Sequence, residues 1–170
     1  VSDDLFEVRE SPLSVPGEGE VLVRNVYLFV PASMRLWMNE RPTYWPPQPL
    51  GEVMRGITLG VVEQSDDPAL PVGTYVNGNG GWQHYSVAPV AGLMPLAPHP
   101  DIPLGVYRTV LDVQGLTAWA GVTDVCKAKP GETMVVTAAA GSVGSLASQI
   151  AKRIGLRVVG VAGGPDKCRW

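Results

Sequence analysis

The chain has 170 residues, 45% of them apolar and 17% charged, a balance that suits a folded protein of one ordinary or two small domains and excludes a disordered one. Sixteen acids against thirteen Lys and Arg leave a net charge of −3, so no general excess of positive charge is available to collect nucleic acid. No apolar run approaches the roughly 20 residues that span a bilayer, and the two cysteines, Cys126 and Cys168, provide neither a disulfide framework nor a Cys-x-x-Cys metal knuckle. The opening Val1-Ser2-Asp3-Asp4 lacks the basic-then-apolar profile of a signal peptide, and a cytoplasmic protein is expected.

Twenty Gly and sixteen Pro are scattered rather than repeated, which marks many turns between short strands. The turn residues 15–20 feed an apolar run from Val21 to Val30 that is buried on two sides or curls into a barrel. Gly51, Gly56 and Gly60 interrupt the next apolar stretch, Leu50 to Val62, and suggest bends. Turn clusters at 65–68, 71–73 and 77–81 bracket two further strands, Thr74 to Val76 and Trp82 to Val87. This half predicts a small, strongly bent β-barrel. The proline-rich stretch Pro95 to Pro103 closes it, giving a first domain over 1–103 and a second over 104–170.

Beyond that stretch, Leu104 to Val113 and Leu116 to Val125 read as two helices separated by Gly115, and Lys129-Pro130-Gly131 ends the second. A βαβ unit follows. Met134 to Thr137 is a short apolar strand, and Val143, Leu146, Ala147, Ile150, Ala151 and Ile154 recur at helical spacing before Gly155. Arg157 to Ala162 is a nearly continuous apolar run, as in a parallel strand covered on both faces.

Between the first of these strands and its helix lies Ala139-Ala140-Gly141-Ser142-Val143-Gly144, which fits G-x-G-x-x-G except that Ala139 replaces the first glycine. The pattern places no side chain at Gly141, so that backbone can approach a pyrophosphate, and uses Gly144 for close helix-to-strand packing. The N–H groups that open the helix then face the anion. A tight βα turn that uses glycine for packing alone would look the same in isolation. A unit that prefers NAD should end its second strand with an Asp or Glu for the ribose hydroxyls, and Gly163-Gly164 stand there instead. Two glycines leave space for a 2′-phosphate, and Lys167 and Arg169 offer cations to it, so NADP(H) is preferred over NAD(H). Read alone, Lys167 could equally be a solvated surface lysine.

Six separated segments carry a family resemblance in one order: Met34-Arg35-Leu36-Trp37-Met38, Leu50-Gly51-Glu52-Val53-Met54-Arg55-Gly56, Gly80-Gly81-Trp82-Gln83-His84-Tyr85, Gly115-Leu116-Thr117-Ala118-Trp119, the turn 138–144, and Gly163-Gly164-Pro165-Asp166-Lys167-Cys168. Together they cover nearly the whole chain. The sequence resembles the zinc-free medium-chain dehydrogenase/reductases, in the prostaglandin reductase, 2-alkenal reductase and curcumin reductase group. That resemblance implies an α/β architecture, a GroES-like β-barrel domain followed by a partial Rossmann domain. It also implies NADPH-dependent reduction of the carbon–carbon double bond of α,β-unsaturated ketones or aldehydes, without a metal, and a homodimer. It places Gly141, Ser142 and Val143 at the pyrophosphate, Thr117 near the nicotinamide, and Gly164 and Lys167 at the adenosine 2′-phosphate. Tyr44 matches a tyrosine that lines the substrate pocket and is the donor expected to act on the carbonyl oxygen; a barrel-surface aromatic is the plainer role for it. Trp82 either faces the same cleft or packs after its glycine turn.

Members of the group are roughly twice this length, and two Rossmann strands do not make a six-stranded sheet, so the second mononucleotide half is expected to be missing from this chain. Pro31-Ala32-Ser33 also departs from the family's usual Asp-Pro-Tyr. Three other readings stand beside the reductase. A zinc alcohol dehydrogenase would need a Cys, His and Glu or Cys ligand set that His84 and His99 do not supply. A quinone reductase would use the same NADPH turn. A nucleotide-binding or structural fragment without turnover would keep the fold alone.

Overall fold

In a computed structural model, residues 5–41, 43 and 45–170 are described. Two compact units make up the chain, Val1–Ala97 and Pro98–Trp170, and the division falls inside the proline-rich stretch.

The first unit contains β1 (Glu20–Phe29), the single-turn α1 (Met34–Trp37), β2 (Ile57–Gln64), β3 (Tyr75–Gly78), β4 (Tyr85–Pro89) and β5 (Met94–Leu96). The strands form one antiparallel sheet in the order β4-β1-β2-β3-β5. β-branched and apolar residues dominate β1 and β2, which suits a pleated surface, and Val21, Leu22 and Val23 are buried in succession. Val21 and Val23 join Val62, Leu70 and Val76 in the core, while Leu22 points to the opposite face. The expected two-sided burial of this strand is thus present. Register shifts at Leu22/Val23 and between Asn25 and Tyr27 bend the sheet where β1 meets β2. No ladder joins β4 to β5 among the described residues, so the expected barrel takes the form of a bent sheet that is open along that line.

One turn signal was overridden by pairing. Asn77 and Gly78 belong to β3, where Asn77 stands opposite Leu59 of β2 and Met94 of β5, and Gly78 stands opposite Thr58. Neighbours on both sides supply ladder hydrogen bonds that a local turn preference cannot match, and the chain reverses only after Gly78.

The second unit opens with a 3-10 turn over Leu104–Arg108. α2 (Val113–Ala120) then runs directly into a π-helical turn, Gly121–Val125, and β6 (Thr133–Thr137), α3 (Ser142–Arg153), β7 (Arg157–Val161) and α4 (Pro165–Arg169) follow. β6 and β7 are parallel neighbours in register from Thr133↔Arg157 to Thr137↔Val161. Ala151 of α3, Leu156 and Val122 form the buried centre, with Met134, Ala147, Ile150, Ile154 and Val158 packed around it. From Ala147 to Ile154 the helical spacing read from the sequence is the face that α3 lays on these strands, whereas Val143 at its start is exposed.

Two expectations for this unit are corrected. Gly115 does not separate two helices but lies inside α2. A Cβ there would overlap the Val110 carbonyl oxygen, with the Val110 carbonyl carbon at 2.7 Å, so the glycine exists to let α2 rest on the backbone that precedes it. Nor is β7 covered on both faces: Val158 packs under α3, whereas Val159 and Val161 are exposed. One crossover helix covers one face of a two-stranded sheet, and these residues supply only one.

Candidate functional site

β6 ends at Thr137, and the chain turns through residues 138–141 before α3 begins. Ala138 adopts a positive φ of 50°, uncommon for a residue with a Cβ, and its carbonyl accepts the Gly141 N–H at 2.8 Å. The Ala139 N–H donates to the Val161 carbonyl at 3.0 Å, which ties this turn to the end of β7. Parallel pairing and this bond bring the turn and the Gly163-Gly164 segment to the same edge, at the carboxyl ends of both strands.

Gly141 is the N-cap residue of α3, with φ −86° and ψ 170°, extended backbone that any residue adopts. Backbone conformation therefore does not demand glycine there, and a Cβ would meet only the Ala138 carbonyl oxygen, at 3.1 Å. No side chain caps α3, its first turn holds no acid, and the Ser145 N–H is the first to find a partner within the helix, the Gly141 carbonyl at 2.8 Å. The N–H groups of Ser142, Val143 and Gly144 are left without an intrahelical or capping acceptor, with the positive end of the helix dipole behind them. That arrangement fits an anion close to the backbone. Gly144 has a different task. A Cβ on it would run into the Ala138 carbonyl oxygen, with the Ala138 carbonyl carbon and Ala139 Cα both at 3.0 Å, so it sets how tightly α3 meets the turn.

Gly164 has φ 82° and ψ 160°, a conformation reserved for glycine, and open space lies where a Cβ would stand on Gly163 or Gly164. Asp166 is the only acid between Arg157 and Trp170, and it is ion-paired with Arg169. Its charge is thereby offset, while the Lys167 side chain is exposed beside it. Arg169, read from sequence as a second cation for a phosphate, is instead the partner of Asp166.

Thr117 lies on the exposed side of α2, a helix that packs along α3. Its hydroxyl donates to the Val113 carbonyl at 2.6 Å, which commits the proton and leaves the lone pairs of Oγ1 to accept. Sequence reasoning missed what holds this helix start. Asp112 accepts the Val113 N–H through Oδ1 at 2.7 Å as the N-cap, and its Oδ2 lies 2.8 Å from Nη1 of the buried Arg108. An acid directly before a helix and a cation four residues earlier were the available signals.

Tyr44 lies outside the described residues. In the first unit, the Trp45 ring carries the Arg55 guanidinium 5.0 Å from its centroid and stands 5.9 Å from the ring of Trp37. Trp82 stacks on Phe6 with centroids 5.3 Å apart. His84 is exposed, His99 is 3.7 Å from Asp101 in solvent, and the two cysteines are free and exposed. No group of three or more His, Cys, Asp or Glu that could hold a metal occurs among the described residues.

Residues 1–96 match a family described as the N-terminal domain of oxidoreductase. The NADPH-dependent curcumin reductase of Escherichia coli is 44% identical over 96% of this chain and 47% of its own. Prostaglandin reductase 1 of Bos taurus is 38% identical over 97% of this chain and 49% of its own. The crystal structure of CurA from Vibrio vulnificus in complex with NADPH superposes with a TM-score of 0.86 at 36% identity, covering 99% of this chain and 50% of that one. The chain belongs to the zinc-free medium-chain dehydrogenase/reductases.

Within that family the two units are a GroES-like antiparallel sheet and part of a Rossmann unit, an α/β architecture. The chain spans about half the length of the curated relatives it matches, 47% of one and 49% of another. The unclaimed amides of α3 and the open ground at Gly163-Gly164 lie at one edge of the β6–β7 sheet.

Proposed function

We propose that this chain carries the barrel and the nucleotide-binding turn of an NADPH-dependent reductase of α,β-unsaturated ketones and aldehydes. The observation that carries this reading is the start of α3: three uncapped amides beside a glycine that its own backbone conformation does not require. Gly141 admits the pyrophosphate to the amides of Ser142 and Val143. Lys167, with Gly164 giving room, binds the 2′-phosphate, and the pairing of Asp166 with Arg169 keeps a free carboxylate away from it. Thr117 stands at the nicotinamide end. Bound NADPH supplies a hydride to the β-carbon of the acceptor. The enolate charge would gather on the carbonyl oxygen, where the Tyr44 hydroxyl would donate a hydrogen bond, the α-carbon would take its proton from water, and no metal is required. The small-molecule acceptor, the NADPH preference and the reaction accord with relatives named as curcumin, prostaglandin and 2-alkenal reductases. A homodimer rests on the family resemblance alone, and a cytoplasmic location on the sequence reading.

The test follows NADPH oxidation by its loss of absorbance with an enone and a quinone in parallel, together with affinities for NADPH and NADH before and after Lys167→Ala. Faster turnover of the enone and an NADPH preference that drops about tenfold in the variant support the proposal. Turnover of the quinone alone would make the protein a quinone reductase, and binding without turnover of either would leave a nucleotide-binding module.

A further inference from the structure

We propose that the buried Arg108–Asp112 pair is the positioning device for the nicotinamide end of the cofactor, acting through Thr117. This rests on the reading of Thr117 given above. The chain between the 3-10 turn Leu104–Arg108 and α2 is folded back on itself. The Val106 carbonyl accepts the N–H of Thr109 at 3.2 Å and of Leu111 at 3.0 Å, and Gly115 lets α2 settle against the Val110 carbonyl. Asp112 joins the two helical pieces with one carboxylate. Oδ1 takes the Val113 N–H at the start of α2, and Oδ2 faces Arg108 Nη1 at 2.8 Å. The contact with Arg108 is not an aligned hydrogen bond to Oδ2 and holds by charge, which burial strengthens because little water screens it.

The consequence lies one helical turn further on. Val113, whose N–H Asp112 fixes, is also the residue whose carbonyl receives the Thr117 hydroxyl. Arg108, Asp112, Val113 and Thr117 thus form a relay from a buried charge pair to an exposed oxygen with its proton turned inward. The oxygen that emerges is an acceptor. It suits an amide NH2, the donor on the nicotinamide carboxamide, and would be mismatched to the carboxamide oxygen. Rotation or fraying of the first turn of α2 would release the hydroxyl and lose that polarity. Arg108 and Asp112 are positioning residues, and the group that touches the cofactor is Thr117.

The experiment uses the double variant Arg108→Met/Asp112→Asn, which removes both charges together and keeps a side-chain oxygen at the cap. Affinities for NADPH and for adenosine 2′,5′-bisphosphate are measured by titration, the second ligand having no nicotinamide. The expected result is NADPH binding weaker by about tenfold, with the bisphosphate unchanged within about twofold. Arg108→Lys, which keeps the charge, should retain NADPH affinity. Parallel weakening of both ligands would show a general loss of the unit, and unchanged affinity for both would show that the pair positions nothing; either overturns the proposal. Failure of the unaltered protein to bind NADPH is a separate outcome, which overturns the cofactor reading and this inference with it.

Discussion

Gly141 and Gly144 sit three residues apart in one turn, and the structure assigns them opposite sensitivities. At Gly144 an added methyl meets backbone on three sides: the Ala138 carbonyl oxygen, and Ala138 C and Ala139 Cα at 3.0 Å. Backbone cannot rotate away as a side chain can, so α3 has to lift off the turn. Overpacking of this kind costs about 3 kcal/mol at the upper end of its usual range, and the gain in helix propensity from Gly to Ala returns about 1 kcal/mol. A net loss of about 2 kcal/mol lowers the midpoint of thermal unfolding by on the order of 5 °C. Gly141→Ala meets a milder conflict, because φ is −86° and the single close neighbour, the Ala138 carbonyl oxygen at 3.1 Å, has to give only slightly. Its stability should stay within about 1 kcal/mol of the parent. The added methyl nevertheless stands where an anion must reach the amides of Ser142 and Val143, and NADPH affinity should fall by about a hundredfold. Thermal unfolding and NADPH titration of both variants side by side make the check. If Gly141→Ala unfolds as early as Gly144→Ala and still binds NADPH like the parent, glycine at 141 serves packing, and the backbone approach argued for this turn is wrong.

Three further outcomes follow from the packing. Gly115→Ala should destabilise the second unit by about 3 kcal/mol or more, seen as loss of soluble yield or an early unfolding transition, because its Cβ would overlap the Val110 carbonyl. Gln114 is buried, and its Oε1 lacks a hydrogen-bond partner, so Gln114→Met should leave the urea midpoint unchanged or raise it by up to about 1 kcal/mol in stability. Phe6→Ala removes the stacking on Trp82 at 5.3 Å; a loss of about 1 kcal/mol and faster proteolysis of residues 5–16 are expected, read by thermal unfolding and limited trypsin digestion.

The sequence revealed features whose causes are local. The βαβ unit was legible because the spacing of Ala147, Ile150, Ala151 and Ile154 is the face that α3 buries, although Val143 at its start is exposed, and Gly155, at φ 92°, ends the helix as its position suggested. Asn77-Gly78 misled because a turn preference worth a fraction of a kcal/mol competes with ladders on two sides. Gly115 misled for the reverse reason. Glycine was read as a break in a helix, yet its cause is the Val110 carbonyl, brought against it by a fold-back that no periodicity records. The same fold-back concealed the Arg108–Asp112 pair: four residues apart, they are unremarkable in a sequence and become consequential only once burial removes the water between them. The motif gives Gly141 and Gly144 different tasks, and the structure gives the difference a physical measure: a Cβ on Gly144 would run into the Ala138 and Ala139 backbone, whereas one on Gly141 would meet a single carbonyl oxygen at 3.1 Å. At Gly141 the fold presents one tight contact, the Ala138 carbonyl oxygen at 3.1 Å, and the ligand proposed to approach the amides of α3 would supply the stronger reason for a bare backbone.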